Sequence, residues 1–88
     1  VGKYRVAFSR RAVKDLDVLS RKEFNRIIEG CRRLEDAPHP DGKHIKKLKG
    51  HEDLYRLRVG EYRIIFEWKG EEINIVTVLT RQDFGKRY

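Results

Sequence analysis

The chain has 88 residues, 40% of them charged, and its 21 Lys and Arg against 14 Asp and Glu leave a net charge of +7. That length fits a single small domain over residues 1–88. No stretch approaches the roughly 20 apolar residues of a membrane helix, and the lone cysteine, Cys31, excludes an internal disulfide and fits a reducing compartment.

The amino-terminal residues pass directly into an alternating pattern without the apolar run of a signal peptide, so the expected location is the cytoplasm. Tyr4 to Phe8 alternates and predicts a strand. Ser9 is placed to cap a first helix whose apolar stripe is Ala12, Val13, Leu16 and Leu19. Ser20 and Glu23 have the spacing of a capping box, with Leu19 able to staple onto Phe24, and Phe24, Ile27, Ile28, Cys31 and Leu34 recur at helical spacing. Two helices with almost no loop between them predict a helical hairpin packed on a sheet. Pro38 and Pro40 make residues 36–41 a loop, and Lys43 to Gly50 is a basic segment with isolated Ile45 and Leu48.

Residues 54–65 predict two strands joined at Gly60-Glu61, since glycine reaches the positive φ that tight hairpin turns need. In that register Val59 faces Tyr62 and Arg58 faces Arg63. Tyr55, Leu57, Val59, Tyr62, Ile64 and Phe66 then form a core face, while Arg56, Arg58 and Arg63 share the other. Like charges opposite one another weaken a strand pair, so a guanidinium cluster with no acid between its members is better explained as a seat for an anion such as phosphate. A second turn at Lys69-Gly70 is expected to pair Trp68 with Glu71. It sets Ile73, Ile75, Thr77 and Leu79 on the core face and Asn74, Val76 and Val78 on the arginine face. Arg81 then has core parity, which predicts a bend or bulge after Leu79. Residues 81–88 are basic and predict an irregular end or a short helix. The order strand, two helices and a three-stranded antiparallel meander is an α+β fold with the helices on one face and the arginines on the other.

This order resembles the RelE/ParE toxin superfamily, its RelE branch most of all, through Leu48-Lys49-Gly50, the run Tyr55-Arg56-Leu57-Arg58-Val59-Gly60-Glu61-Tyr62-Arg63-Ile64 and Val78-Leu79-Thr80-Arg81. The resemblance spans Tyr4 to at least Arg81. It implies a ribosome-dependent endoribonuclease that cuts messenger RNA in the decoding site, with a RelB-like antitoxin as partner and with DNA met only through that complex. It also implies that Arg56, Arg58, Arg63, Arg81 and Tyr88 form the catalytic site. Two departures stand out. Relatives carry lysines at positions 56 and 58, and the tyrosine near the carboxyl end does not align cleanly with Tyr88.

Cleavage through the 2′-hydroxyl needs a base, a stabiliser of the phosphorane charge and an acid. Arg63 and Arg81 suit the second task, although either could instead be a surface arginine paired with Glu67 or Asp83. Arg56 and Arg58 can grip phosphates or stack on a base, or form a solvated face that meets an acidic antitoxin. Lys46, Lys47 and Lys49 are candidate RNA-backbone contacts, against a plain solvated charge run. Arginine does not give up its proton. The proton carrier is therefore either Tyr88 or a group outside the chain, with the protein orienting and stabilising charge. His39, His44 and His51 are read as solvated loop residues, Cys31 as buried core and Trp68 as a cap on that core. The one cysteine and three scattered histidines match no zinc pattern, so no metal or other cofactor is expected. Two other classes stay open: a ParE-type inhibitor of DNA gyrase, and a toxin-fold binding module without catalysis.

Overall fold

In the computed structural model, which describes residues 2–88, the hairpin is built on Gly60 as the sequence requires. Its φ is +56°, while among the described residues no non-glycine residue has positive φ. Strands β3 (Leu54–Val59) and β4 (Tyr62–Lys69) pair with Val59 opposite Tyr62 and Arg58 opposite Arg63. The remaining elements are β1 (Arg5–Phe8), α1 (Arg10–Asp17), α2 (Arg21–Arg33), β2 (Ile45–Lys47), β5 (Glu72–Thr80) and α3 (Arg81–Arg87). One sheet results, in the order β1-β5-β4-β3-β2, with β1 parallel to β5 and every other pair antiparallel. The α+β class and the expected element order both hold.

Helix starts follow their caps. Ser9 Oγ accepts the Ala12 N–H at 3.0 Å, and Ser20 Oγ accepts the Glu23 N–H at 3.2 Å while donating to Glu23 Oε1. Ala12, Leu16, Ile27, Cys31 and Leu34 bury against Ile45, Leu57, Ile64, Phe66, Ile73, Ile75 and Val78 to make the main core. Trp68 caps its edge, held by Tyr4 and His39 in edge-on contacts and by an indole N–H bond to Gly70 O of 2.8 Å. Phe24 departs from its expected place, being 38% exposed, and Val13 is likewise exposed.

Four corrections bear on the site. The second turn is Gly70-Glu71, pairing Lys69 with Glu72 and Trp68 with Ile73. It repeats the Gly-Glu sequence of the first turn, with Gly70 at φ +57°. The basic segment contributes a fifth strand: Asp41 Oδ1 accepts the N–H groups of Lys43, His44 and Ile45, turning the chain so that Ile45 sinks into the core beside Leu57. The bulge lies at Val76, between the pairs Phe66–Ile75 and Ile65–Thr77, rather than after Leu79. It reverses face parity beyond it, so Val78 joins the main core and Leu79 turns to the arginine face. Finally, the arginine face is not left bare. A second, smaller core of Leu48, Ile65 and Leu79, with Leu54, Val76 and Phe84 against it, seats α3 there.

Candidate functional site

The arginine face divides into a basic half and an apolar half. Cross-strand register aligns Lys46, Arg56 and Ile65 in one row and Arg58, Arg63 and Leu79 in the next. Paired residues of neighbouring strands project to the same side, so Lys46, Arg56, Arg58 and Arg63 converge at one end of the face. Ile65 and Leu79 begin the apolar cluster under Phe84.

Each guanidinium is held differently. Arg63, the most central, donates through Nη1 to Gly60 O and Tyr62 O, both at 3.0 Å, which ties it to the turn. Arg56 donates through Nη1 to His44 O at 3.4 Å. Arg58 pairs only through its main chain, its N–H donating to His44 O at 2.8 Å. Among the described residues no carboxylate forms an ion pair with Arg56, Arg58 or Arg63. The pKa of Arg63 is lowered by partial burial first, then by Arg58 and by Arg81. That of Arg56 is lowered by burial, then by Arg63 and Arg58. Arg63 and Arg56 nevertheless remain cations at neutral pH because guanidinium starts so high. The cluster is a concentration of positive charge that an anion would relieve.

Arg81 reaches this cluster from α3. Thr80 caps that helix by accepting the Asp83 N–H at 3.2 Å, and Arg81 N–H donates to Glu61 O at 2.8 Å, fixing the helix start against the first hairpin turn. Its side chain is mostly exposed, with Nη1 3.9 Å from Glu61 Oε1. The expected alternatives, pairing with Glu67 or Asp83, are not what forms: Glu67 meets Lys69, and Glu61 is the acid beside Arg81.

Tyr88 stacks on Phe84 at 5.4 Å between ring centres and meets His51 edge-on at 5.8 Å, over the apolar half. Of the three lysines, Lys46 shares the face of Arg56. Lys47 pairs with Tyr55 and so has the opposite parity, and Lys49 lies in the turn at Lys49-Gly50. The three are exposed but do not form one patch. The three histidines are exposed and lie outside helices and strands, as expected, with His39 also packing on Tyr4 and Trp68 and His51 on Tyr88. Cys31 is buried, which pushes its thiol up to about 12, and makes it a core residue rather than a nucleophile.

Sequence reasoning missed Glu61 as the acid flanking Arg81, and it missed the pair Ser9 and Asp15. Ser9 Oγ donates to Val76 O at 2.6 Å, and Asp15 Oδ2 accepts from Thr77 Oγ1 at 2.6 Å and from Val78 N–H at 2.9 Å. No local pattern announces these contacts, because they span more than 60 residues. The Thr80–Asp83 spacing, a helix-start signal, was available for α3.

A helical hairpin packed on one face of a five-stranded, mostly antiparallel sheet, with arginines on the other face, can be compared with known folds and families. Residues 6–83 match the family described as ParE toxin of type II toxin–antitoxin systems, parDE. The chain is 38% identical over 81 residues to Toxin RelE3 of Methanocaldococcus jannaschii, covering 89% of this chain and 91% of that protein. It superposes with a TM-score of 0.75 on the archaeal RelE–RelB complex from Pyrococcus horikoshii OT3, at 37% identity over 90% of this chain and 96% of the other. The RelB–RelE complex from Methanococcus jannaschii gives 0.75 at 32% identity over 93% and 98% of the two chains. The chain belongs to the RelE/ParE superfamily of toxins. Within it, the relatives above 30% identity are of the RelE branch. The chromosomal ParDE system of P. aeruginosa, at 20% identity and a TM-score of 0.68, shares the fold.

Proposed function

We propose that this chain is a toxin that enters the decoding site of a translating ribosome and cuts the messenger there, and that a RelB-like antitoxin holds it inactive. The carrying observation is the convergence of Lys46, Arg56, Arg58 and Arg63 on one sheet face without a paired carboxylate, with Arg81 at its border. Such a face is destabilising in isolation and is relieved by a polyanion. Support for the antitoxin comes from the RelE relatives solved as complexes with RelB.

In the proposed reaction the messenger's 2′-oxygen loses its proton and attacks the adjacent phosphorus. The bond from phosphorus to the 5′-oxygen breaks, that oxygen gains a proton, and a cyclic phosphate remains. Negative charge grows on the non-bridging oxygens as the phosphorane forms. Arg63, tied to the turn carbonyls, is the anchored donor for that charge, and Arg81 is the solvent-exposed one. Arg56 and Arg58 hold the flanking phosphates or a splayed base, and Lys46 extends the contact along the backbone. Lys47 and Lys49 are assigned to ribosomal RNA outside this face. Arginine does not act as base here. Protein charge and orientation therefore carry the catalysis, with Tyr88 or a group of the ribosome moving protons.

The test maps messenger 5′ ends by primer extension after purified protein is added to a translation reaction, beside naked messenger and Arg63→Ala protein. Cuts confined to ribosomes and reduced about 100-fold or more in the variant are expected, the loss typical of one oxyanion donor. Intact messenger in every tube with folded wild-type protein would refute the nuclease. Inhibition of DNA gyrase, the activity of the ParE branch, would then be assayed.

A further inference from the structure

The bulge at Val76 decides which face Arg81 reaches. Extending the Phe66–Ile75 register without it would pair Arg63 with Val78 and turn Leu79, and then Arg81, toward the helical hairpin. With it, Arg63 pairs with Leu79 and Arg81 emerges beside Arg63. A bulge takes backbone groups off the ladder, and buried ones must find partners elsewhere. Here both partners come from the first helical segment. Ser9 Oγ, the same atom that caps α1, donates to Val76 O. Asp15 takes the Val78 N–H and the Thr77 hydroxyl, while Arg11 Nε sits 3.2 Å from its other oxygen. Asp15 is largely shielded from solvent.

We propose that Asp15, assisted by Ser9, is a positioning residue that holds β5 in its bulged register and thereby delivers Arg81 to the arginine face. The inference rests on the proposed nuclease for its functional consequence, but the register claim stands on the fold alone. Removing the Asp15 carboxylate strands the Val78 N–H in the bulged register. The bulge-free register, in which that N–H returns to the β4 ladder, becomes the better alternative, and it carries Arg81 to the wrong side. Asp15→Asn, with its amide oxygen in the place of Oδ2, keeps one acceptor for both the Val78 N–H and the Thr77 hydroxyl and gives up only the ion pair with Arg11, so it preserves the bulge. Asp15→Ala does not.

The experiment has two arms. Nuclear Overhauser contacts between β4 and β5 report the register: wild type and Asp15→Asn should show Arg63 facing Leu79, and Asp15→Ala should show Arg63 facing Val78 in a substantial fraction of molecules. Should Asp15→Ala fail to fold, Thr77→Val, which removes one of the two bonds to the carboxylate, should show the shifted register in a smaller fraction. In the cleavage arm, Asp15→Ala and Arg81→Ala should each lower the rate, and the double variant should be no slower than Arg81→Ala within about twofold, because residues acting through one another are not additive. Unshifted contacts in Asp15→Ala and Thr77→Val, or losses that multiply in the double variant, would overturn the proposal. Absence of any cleavage by wild type would refute the nuclease reading, and the register arm would still decide the proposal.

Discussion

Replacing Arg58 by glutamine should stabilise the fold while weakening the proposed nuclease. Arg58 lies directly across from Arg63, and it lowers the pKa of both Arg63 and Arg56, so its charge opposes two neighbours at once. Like charges directly opposite on a strand pair cost about 0.2–1 kcal/mol. Arg58 is exposed and makes no side-chain bond to a carboxylate, which argues for the middle of that range. Relief of about 0.5 kcal/mol corresponds to a rise of roughly 2–4 °C in Tm for a domain this size. The gain is electrostatic, so it should fade as salt shortens the Debye length from about 10 Å at 0.1 M to about 3 Å at 1 M. Thermal unfolding of wild type and Arg58→Gln followed by circular dichroism across a salt series reads both numbers. A variant that melts lower at low salt, or a gain that persists unchanged at 1 M, would refute the claim that this face is strained by its own charge.

Gly30 lies inside α2, where a Cβ would meet Val59 Cγ2 at 2.7 Å. Gly30→Ala gains about 1 kcal/mol of helix propensity but overpacks a stiff β-branched neighbour at about 1–3 kcal/mol. Urea titration should therefore show net destabilisation, relieved when Val59→Ala is added. Asp41, whose carboxyl is held at about 2 by the N–H groups of Ile45, Lys43 and His44, contributes stability that is complete above the ordinary carboxylate range and is lost as pH falls through about 2. Denaturant midpoints measured from pH 6 to pH 2 should accordingly fall less steeply in Asp41→Asn than in wild type. Cys31, with its thiol pushed up to about 12 by burial, should resist alkylation at pH 8 in the native state and label fully in denaturant, as intact mass would report.

What could be read from the sequence follows how local its cause is. The Gly60-Glu61 turn fixes its own register, so the arginine row and the core face beside it were correct residue by residue. Capping side chains act within three residues, so the starts of α1 and α2 were legible at Ser9 and Ser20. The second turn was misplaced by one residue because Lys69-Gly70 was preferred to Gly70-Glu71. The pairing moved by an even step, and the faces of Ile73 and Ile75 survived. The bulge was expected, since Arg81 had the wrong parity, but its position depends on Ser9 and Asp15 far up the chain. Three-residue β2 carries too little alternation to announce itself and exists because Asp41 turns the chain into the edge of β3. For the site, residue types and their face were legible. The anchoring of Arg63 on turn carbonyls and the approach of Glu61 to Arg81 were not, because they depend on side-chain rotamers.

The parallel pairing of β1 with β5 sets a timetable for synthesis. Arg5 has no ladder partner until Glu72 is made, 67 residues later, and the side chains of Ser9 and Asp15 wait 67 and 63 residues for Val76 and Val78. Contacts that distant close late in folding. The amino-terminal strand and helix therefore leave the peptidyl-transfer centre without their final seat, and Arg81 arrives later still. The β3–β4 hairpin can gather Arg56, Arg58 and Arg63 on its own, but a nascent chain cannot add Arg81 to them before β5 and the start of α3 have been made. Delivery of Arg81 is thus coupled to synthesis of β5 and to its docking against the amino-terminal strand and helix.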